Sequence, residues 1–95
     1  MVVTVFGLPC VKTDRTLMNV EEAVGGFRRR TRVTWVGEIE EMNRWGVHQT
    51  PTVCVNNKPK SHGRIPSIHE VKTWIEEEMR EVGTLRKRRV QEVMA

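Results

Sequence analysis

The fold is decided by residues 2–13, VVTVFGLPCVKT, in which an apolar run gives way to a turn and then to a helical pattern. Four of the five residues of the run Val2–Phe6 are apolar, and most of them are β-branched or aromatic. This composition predicts a strand that is buried on both faces. From Val11 onward the apolar residues recur at three- and four-residue steps, which predicts an amphipathic helix. The stretch therefore places Cys10 at the start of the first helix.

The same alternation of strand and helix signals continues along the chain. The first helix has the apolar stripe Leu17, Val20, Val24 and Phe27 and a stop signal at Gly25-Gly26. Strands are predicted at 32–36 and 52–55, with a weaker fourth strand from about residue 58 to residue 62. A short helix is predicted from Glu38 to Trp45, with Ile39 and Met42 on one face.

A hairpin and a capped helix complete the predicted order. Asn56-Asn57 is a tight turn of hairpin type, and Pro59 places the fourth strand at a sheet edge. Ser67 and Glu70 form a capping box, which predicts the start of the last helix. Its buried stripe is predicted to comprise Ile68, Val71, Ile75 and Val82, with Trp74 and Met79 beside it and Glu76–Glu78 on the solvated face.

Gly83 is the predicted C-cap of that helix. The domain is therefore assigned to residues 1–83, and residues 84–95 form a basic C-terminal appendage, either a helix extension or a flexible tail. The order β-α-β-α-β-β-α predicts an α/β fold with a four-stranded mixed sheet and helices on both faces.

Length and composition restrict the class of protein. A chain of 95 residues with 38% hydrophobic and 29% charged residues is typical of one folded domain. No apolar run approaches the roughly 20 residues of a membrane helix, the N-terminus lacks the features of a signal peptide, and two cysteines make no disulfide scaffold. These features predict a cytoplasmic protein with no membrane partner, and they leave its oligomeric state open.

The net charge of +4 raises the question of nucleic acid. The excess lies in two clusters, Arg28–Arg30 with Arg32, and Arg86–Arg89. Neither cluster is interleaved with aromatic residues, so no stacking platform for single strands is visible. The pattern favours a solvated surface over a nucleic-acid site.

Cys10 is the residue most suited to chemistry. At a helix N-terminus the free backbone N–H groups and the helix dipole stabilise a thiolate, which lowers the thiol pKa. Lys12 would act in the same direction, and Asp14 would oppose it. The alternative is a cysteine that only packs against the end of the sheet, because free cysteines are usually buried. The position at the helix start favours a reactive thiol.

Three segments resemble the thioredoxin superfamily: residues 7–13 (GLPCVKT) after the first strand, Thr50-Pro51 before the third, and residues 63–67 (GRIPS) before the last helix. The chain is most similar to the very small archaeal and bacterial thioredoxin- or glutaredoxin-like proteins, over about residues 1–82. The resemblance implies a thioredoxin-like fold. It also implies that Pro51 is cis and faces Cys10, so that Thr50-Pro51 positions a substrate disulfide through main-chain hydrogen bonds.

The chain departs from the family pattern at Thr13, which stands where Cys-x-x-Cys has its resolving cysteine. Internal resolution of a mixed disulfide is lost at that position. Two hypotheses follow. The first is a monothiol thiol-disulfide oxidoreductase in which Cys10 acts with an external resolving thiol and Thr13 donates a hydrogen bond to it. The second is a redox-inactive thioredoxin-fold module that binds a protein partner. The signature of iron–sulfur cluster carriers is not matched, and no cofactor is predicted.

The other candidate residues favour structural roles. Cys54 lies roughly 10 Å beyond Pro51 along an extended strand, whereas bridged Cα atoms lie within about 7 Å, so Cys54 is predicted to be a core residue. His48 could approach Cys10, although such a loop histidine is more often solvated. His62 and His69 form no recognised zinc spacing with the cysteines, and no metal site is predicted.

Overall fold

A computed structural model describes residues 1–27 and 30–94, with side chains for residues 1–27 and 30–81. The elements are β1 (Val2–Phe6), α1 (Val11–Val24), a 3-10 turn (Gly25–Phe27), β2 (Arg32–Val36), α2 (Ile39–Arg44), β3 (Thr52–Val55), β4 (Lys58–His62) and α3 (Ile68–Met94). The predicted order β-α-β-α-β-β-α is confirmed.

The four strands form one mixed sheet in the order β2-β1-β3-β4. β1 and β2 are parallel, with Val2 opposite Arg32, as a strand-helix-strand unit requires. β3 runs antiparallel to β1, and Phe6 lies opposite Thr52. β4 completes an antiparallel hairpin with β3 and forms one edge of the sheet, where its Pro59 was expected.

Helices cover both faces of the sheet, as predicted. On one face α1 and α3 enclose the larger core cluster, formed by Val3, Val5, Val20, Ala23, Val24, Val53, Val55, Val71 and Ile75. On the other face α2 contributes Met42 to a smaller cluster with Phe6 and Cys54. β1 therefore supplies side chains to both clusters, which explains why its apolar run is nearly continuous.

Two local predictions are confirmed by the backbone and its hydrogen bonds. Asn56 and Asn57 both have positive φ (51° and 66°), the conformation of a two-residue hairpin turn. At the start of α3 the Glu70 N–H donates to the Ser67 hydroxyl, and the Ser67 N–H donates to the Glu70 carboxylate, each at 3.1 Å.

The Glu70 carboxylate of this capping box also accepts two hydrogen bonds from Arg64, at 3.0 and 2.6 Å. Arg64 and then the Ser67 N–H lower the pKa of Glu70 to about 2. A carboxyl whose pKa is lower in the folded state stabilises the fold above its unfolded pKa, and this contribution is lost as the pH falls toward 2. The capping box therefore stabilises the fold less as the pH falls toward 2.

Three side-chain or boundary predictions are wrong. Ile39 is 59% exposed although it lies three residues before the buried Met42, because α2 begins only at Ile39 and its six residues bury Met42 alone. α3 does not end at Gly83 but continues to Met94. A glycine inside a helix costs only about 1 kcal/mol relative to alanine, so it does not by itself end one.

The third error concerns Glu78, which is 4% exposed rather than solvated. Lys60 lies 3.0 Å and Lys58 3.3 Å from its carboxylate, and both lysines are on β4. Burial opposes ionisation of Glu78, but the bonds from Lys60 and Lys58 outweigh it and keep its pKa below the usual value. This buried carboxylate joins α3 to the sheet edge.

Several predictions lie outside the described residues. They concern Arg28, Arg29 and all side chains after Glu81, including the basic cluster Arg86–Arg89 and the apolar Val82. Within the part of the chain that the structure describes, no helix is long and apolar enough to span a membrane.

Candidate active site around Cys10

Cys10 follows the turn that leaves β1 and is the N-cap residue of α1. Its backbone is extended (φ −165°, ψ 170°), its carbonyl accepts the first helical hydrogen bond from the Asp14 N–H at 2.9 Å, and its thiol is exposed. The free N–H groups of the first helical turn therefore lie beside the sulfur.

Thr13 is the closest polar partner of the thiol. Its hydroxyl oxygen lies 3.4 Å from Cys10 Sγ, while the Thr13 side chain itself is only 1% exposed. The Thr13 hydroxyl and then the Thr13 N–H lower the pKa of Cys10, and the Lys12 N–H adds to them, against partial desolvation and the charge of Asp14. Lys12 thus acts through its backbone rather than through its ammonium group. The result is an exposed sulfur with a lower pKa than that of an ordinary cysteine.

The turn before Cys10 is packed against Thr13 and Trp35. A Cβ atom at Gly7 would overlap the Thr13 hydroxyl, so Gly7 leaves the space that this hydroxyl occupies. On the adjacent strand, the Trp35 indole N–H donates to the Gly7 carbonyl at 2.8 Å, although 47% of Trp35 remains exposed. Gly7 therefore connects an aromatic side chain on β2 to the hydrogen-bond partner of the thiol.

Thr50-Pro51 lies at the same end of the sheet as Cys10, because Phe6 at the end of β1 pairs with Thr52 at the start of β3. The Thr50-Pro51 peptide bond is cis, as the family resemblance implied. Pro51 is buried, Thr50 is exposed, and the Pro51 carbonyl accepts from the Gly63 N–H at 2.9 Å. Among the described hydrogen bonds, the side chain of Cys10 is joined to Thr13 and none reaches Thr50 or Pro51.

Cys54 lies inside β3, opposite Thr4 of β1, and is buried with Phe6 and Met42. Burial raises the pKa of its thiol. Both cysteines are free, so the prediction that Cys54 belongs to the core agrees with its position. Cys54 is therefore a buried core thiol, and it forms no disulfide with Cys10.

The histidines make no contact with the thiol in the described part of the chain. His48 is exposed, and His62 Nδ1 lies 3.4 Å from the Thr52 hydroxyl, which donates to the Gln49 carbonyl. The described residues contain no group of histidine, cysteine and acidic side chains that could hold a metal ion.

Sequence reasoning missed Trp35 and the close packing of Gly7 on Thr13. Trp35 belongs to a strand of alternating polarity, and nothing in its own segment indicates that its indole reaches across to the turn after β1. The Gly-x-Pro pattern predicted a turn, but the reason for glycine at position 7 is visible only once Thr13 is placed.

The comparisons with known proteins agree with this geometry. The model of the thioredoxin domain family matches residues 1–76. The chain belongs to the thioredoxin family. It is similar to a thioredoxin of Methanocaldococcus jannaschii, with 32% identity over 72 residues that cover 76% of this chain and 83% of the relative. Membership of the thioredoxin family supports a thioredoxin-type redox role.

Proposed function

We propose that this thioredoxin-family protein is a monothiol thiol-disulfide oxidoreductase that acts through Cys10 and is resolved by an external thiol. The observation that carries the proposal is the exposed Cys10 sulfur with the Thr13 hydroxyl 3.4 Å away and no second thiol beside it. A thiolate is the attacking species in disulfide exchange, so a lowered pKa increases the reactive fraction at neutral pH.

The reaction balances without a cofactor. The Cys10 thiolate attacks one sulfur of a mixed disulfide between a protein and a small thiol, forms a new S–S bond with the small thiol, and releases the protein thiolate, which takes up a proton. A second molecule of the small thiol then attacks as its thiolate. It leaves as the small-molecule disulfide and restores the Cys10 thiolate.

Each candidate residue has a role in this scheme. Thr13 stabilises the Cys10 thiolate both as nucleophile and as leaving group, which favours both half-reactions. Thr50 and Pro51 position the substrate disulfide through the main chain at the end of the sheet where Cys10 lies. We assign these roles to the domain of residues 1–83, with residues 84–95 as its appendage. The compartment that we propose is the cytoplasm, which supplies the external thiol.

The dependence on an external thiol is the test. Reduction of a glutathionylated peptide by the wild-type protein should saturate with peptide and require glutathione in each turnover. Without added glutathione, the wild type should release one equivalent of peptide thiol and keep the glutathione bound to Cys10, whereas a Thr13→Cys variant should form an internal disulfide and release that glutathione as well. Repeated release of peptide thiol by the wild type without any small thiol, or release of the glutathione from its Cys10, would contradict the monothiol mechanism.

The second candidate is a redox-inactive binding module that uses the same surface to hold a protein partner. The observation that favours it is the lack of a resolving thiol at position 13, together with the burial of Cys54. The two candidates differ in one measurement. A low Cys10 pKa in alkylation experiments combined with no turnover in the presence of any small thiol would favour the binding module.

A further inference from the structure

The two edges of the sheet differ in how they are protected against pairing with another strand. The β4 edge has Pro59, a register shift opposite Val53/Cys54, and two lysines that form ion pairs with the acidic side of α3. Proline, bulges and lysines are the features with which proteins block an edge. β2 is the other edge, and its sequence RVTWV has no proline, no lysine and no register shift against β1.

The backbone of β2 offers a regular row of free groups on its outer side. The Arg32 N–H donates to the Met1 carbonyl at 2.9 Å, and the Val36 carbonyl accepts from the Gly7 N–H at 3.0 Å. In a parallel strand, every second residue directs both its backbone N–H and its C=O toward the same neighbouring strand. The N–H and C=O groups of Val33 and Trp35 therefore point away from β1, and no other strand of the described residues lies on that side.

We propose that β2 pairs antiparallel with β2 of a second copy, with the two-fold axis at Thr34. This register overlaps all five residues of both strands and brings the outward groups of Val33 opposite those of the partner's Trp35. Residues opposite each other in such a pair exchange two hydrogen bonds, so the two symmetric pairs form four.

The side chains complement each other in this register. Val33 and Trp35 lie on the same face of β2 and are half-buried or exposed, and a β-branched residue opposite an aromatic one is a favourable cross-strand pair. Arg30 lies four residues before Thr34 and Glu38 four residues after it, so each Arg30 faces the partner's Glu38. Neither side chain forms an ion pair within the described part of the chain.

Backbone hydrogen bonds hold both charged residues at the ends of β2. The Arg30 N–H donates to the Phe27 carbonyl at 2.9 Å, and the Arg30 carbonyl accepts from the N-terminal ammonium group at 2.7 Å. The Glu38 carbonyl accepts the first helical bond of α2 from Met42 at 3.0 Å. The opposite charges thus flank the strand at fixed positions.

The pairing leaves both active sites open. Cys10 follows β1, which is parallel to β2, so an antiparallel dimer puts the two thiols at opposite ends of a continuous eight-stranded sheet. The dimer is therefore distinct from one that is linked by a disulfide between the two exposed Cys10 residues. It should form with the thiols reduced.

Sedimentation equilibrium of the full chain with a reducing agent tests the proposal. The wild type and Cys10→Ser should both have twice the chain mass at high protein concentration. Arg30→Glu or Glu38→Arg alone should weaken dimerisation about tenfold or more, because two attractive pairs become repulsive. Both changes are at exposed positions and should leave the fold intact.

Recombination of the charges gives the decisive control. Arg30→Glu mixed with Glu38→Arg should form a heterodimer, because every contact then joins opposite charges, and the double variant should recover the wild-type affinity. Hydrogen exchange supplies a second measurement: the Val33 and Trp35 amides should be protected in the wild type and exchange quickly in the single variants. A wild type of single-chain mass at millimolar concentration would overturn the proposal. So would a dimer that dissociates on reduction, or single variants that associate as well as the wild type.

Discussion

Cys10 and Cys54 are the same functional group in two opposite environments. Cys10 caps a helix, is exposed, and has its pKa lowered first by the Thr13 hydroxyl. Cys54 lies inside a central strand, contacts Phe6 and Met42, and has its pKa raised by burial. The difference shows that reactivity follows from the surrounding N–H and O–H donors and from access, whereas the presence of a cysteine in the sequence does not decide it.

Removal of the Cys10 thiol should have the largest effect on the rate of disulfide exchange, and removal of the Cys54 thiol should leave this rate unchanged. Cys10→Ser should reduce glutathione-dependent disulfide exchange to the uncatalysed rate, because the nucleophile is lost. Cys54→Ala should retain the wild-type rate. The measurement is peptide release from a glutathionylated peptide by both variants. Equal loss in both would show that Cys54 takes part in turnover.

The hydrogen bond between Thr13 and Cys10 should account for much of the difference in pKa between the two thiols. Thr13→Val keeps the shape of the side chain but removes the hydroxyl, so the pKa of Cys10 should rise toward its ordinary value. The thiolate fraction at neutral pH then falls, and alkylation by iodoacetamide at pH 7 should slow several-fold. The rate should recover at high pH, where both proteins are thiolates.

Thr16→Val is the matched control for that variant. Thr16 is also buried on α1, but its hydroxyl donates to the Lys12 carbonyl at 2.8 Å and not to the thiol. Its alkylation profile should therefore match the wild type in a Cys54→Ala background. A similar slowing in both variants would assign the effect to helix stability instead of the Thr13 hydroxyl.

A methyl group at position 7 should displace the Thr13 hydroxyl and so change the environment of the Cys10 thiol. Gly7→Ala places a Cβ against the Thr13 hydroxyl, and overpacking of this kind costs about 1–3 kcal/mol of unfolding free energy. Displacement of the hydroxyl should also raise the pKa of Cys10. Urea denaturation and the pH profile of alkylation measure the two effects.

Gly25→Ala tests whether that cost is specific to position 7. Gly25 has helical φ (−49°) and nothing within 4 Å of an added Cβ, so the change should stabilise the fold by at most about 1 kcal/mol. Destabilisation of the same size at both positions would remove the special role given to Gly7.

Cys54 should also contribute to stability. Cys54→Ala removes one buried sulfur from the smaller core cluster, which should lower the unfolding free energy by about 1–2 kcal/mol. In the wild type, Cys54 should react with a thiol reagent only after unfolding. Its labelling rate should therefore follow the unfolding equilibrium in urea, while that of Cys10 should be independent of urea at low concentrations.

The sequence predicted the elements well because their signals are local. The β-branched run of β1, the Asn56-Asn57 turn and the Ser67–Glu70 capping box each depend on residues within a few positions of one another. The position of Cys10 at a helix start and its neighbour Thr13 follow from the same short stretch. These features could be predicted without knowledge of the tertiary structure.

The errors and omissions arise where distant segments meet. Glu78 was assigned to the solvated face because its helix alone gives no sign of the two β4 lysines that accompany its burial. Trp35 was predicted only to lie in a strand. Its hydrogen bond to Gly7 could not be predicted, because it joins residues 28 positions apart in the sequence. The predicted end of the helix at Gly83 was wrong because a single glycine is a weak signal for a helix end, and of the two alternatives for residues 84–95 the structure has the helix extension, up to Met94.

The bond between Trp35 and Gly7 also makes the site optically observable. Indole emission depends on the hydrogen bonding and polarity around the ring, and the half-exposed Trp35 ring is bonded to the same turn that precedes Cys10. Conversion of the Cys10 thiol to a mixed disulfide removes the charge that the Thr13 hydroxyl stabilises, beside Gly7. With Trp45 and Trp74 replaced by phenylalanine, the emission of Trp35 should therefore report formation of a mixed disulfide at Cys10 without a label.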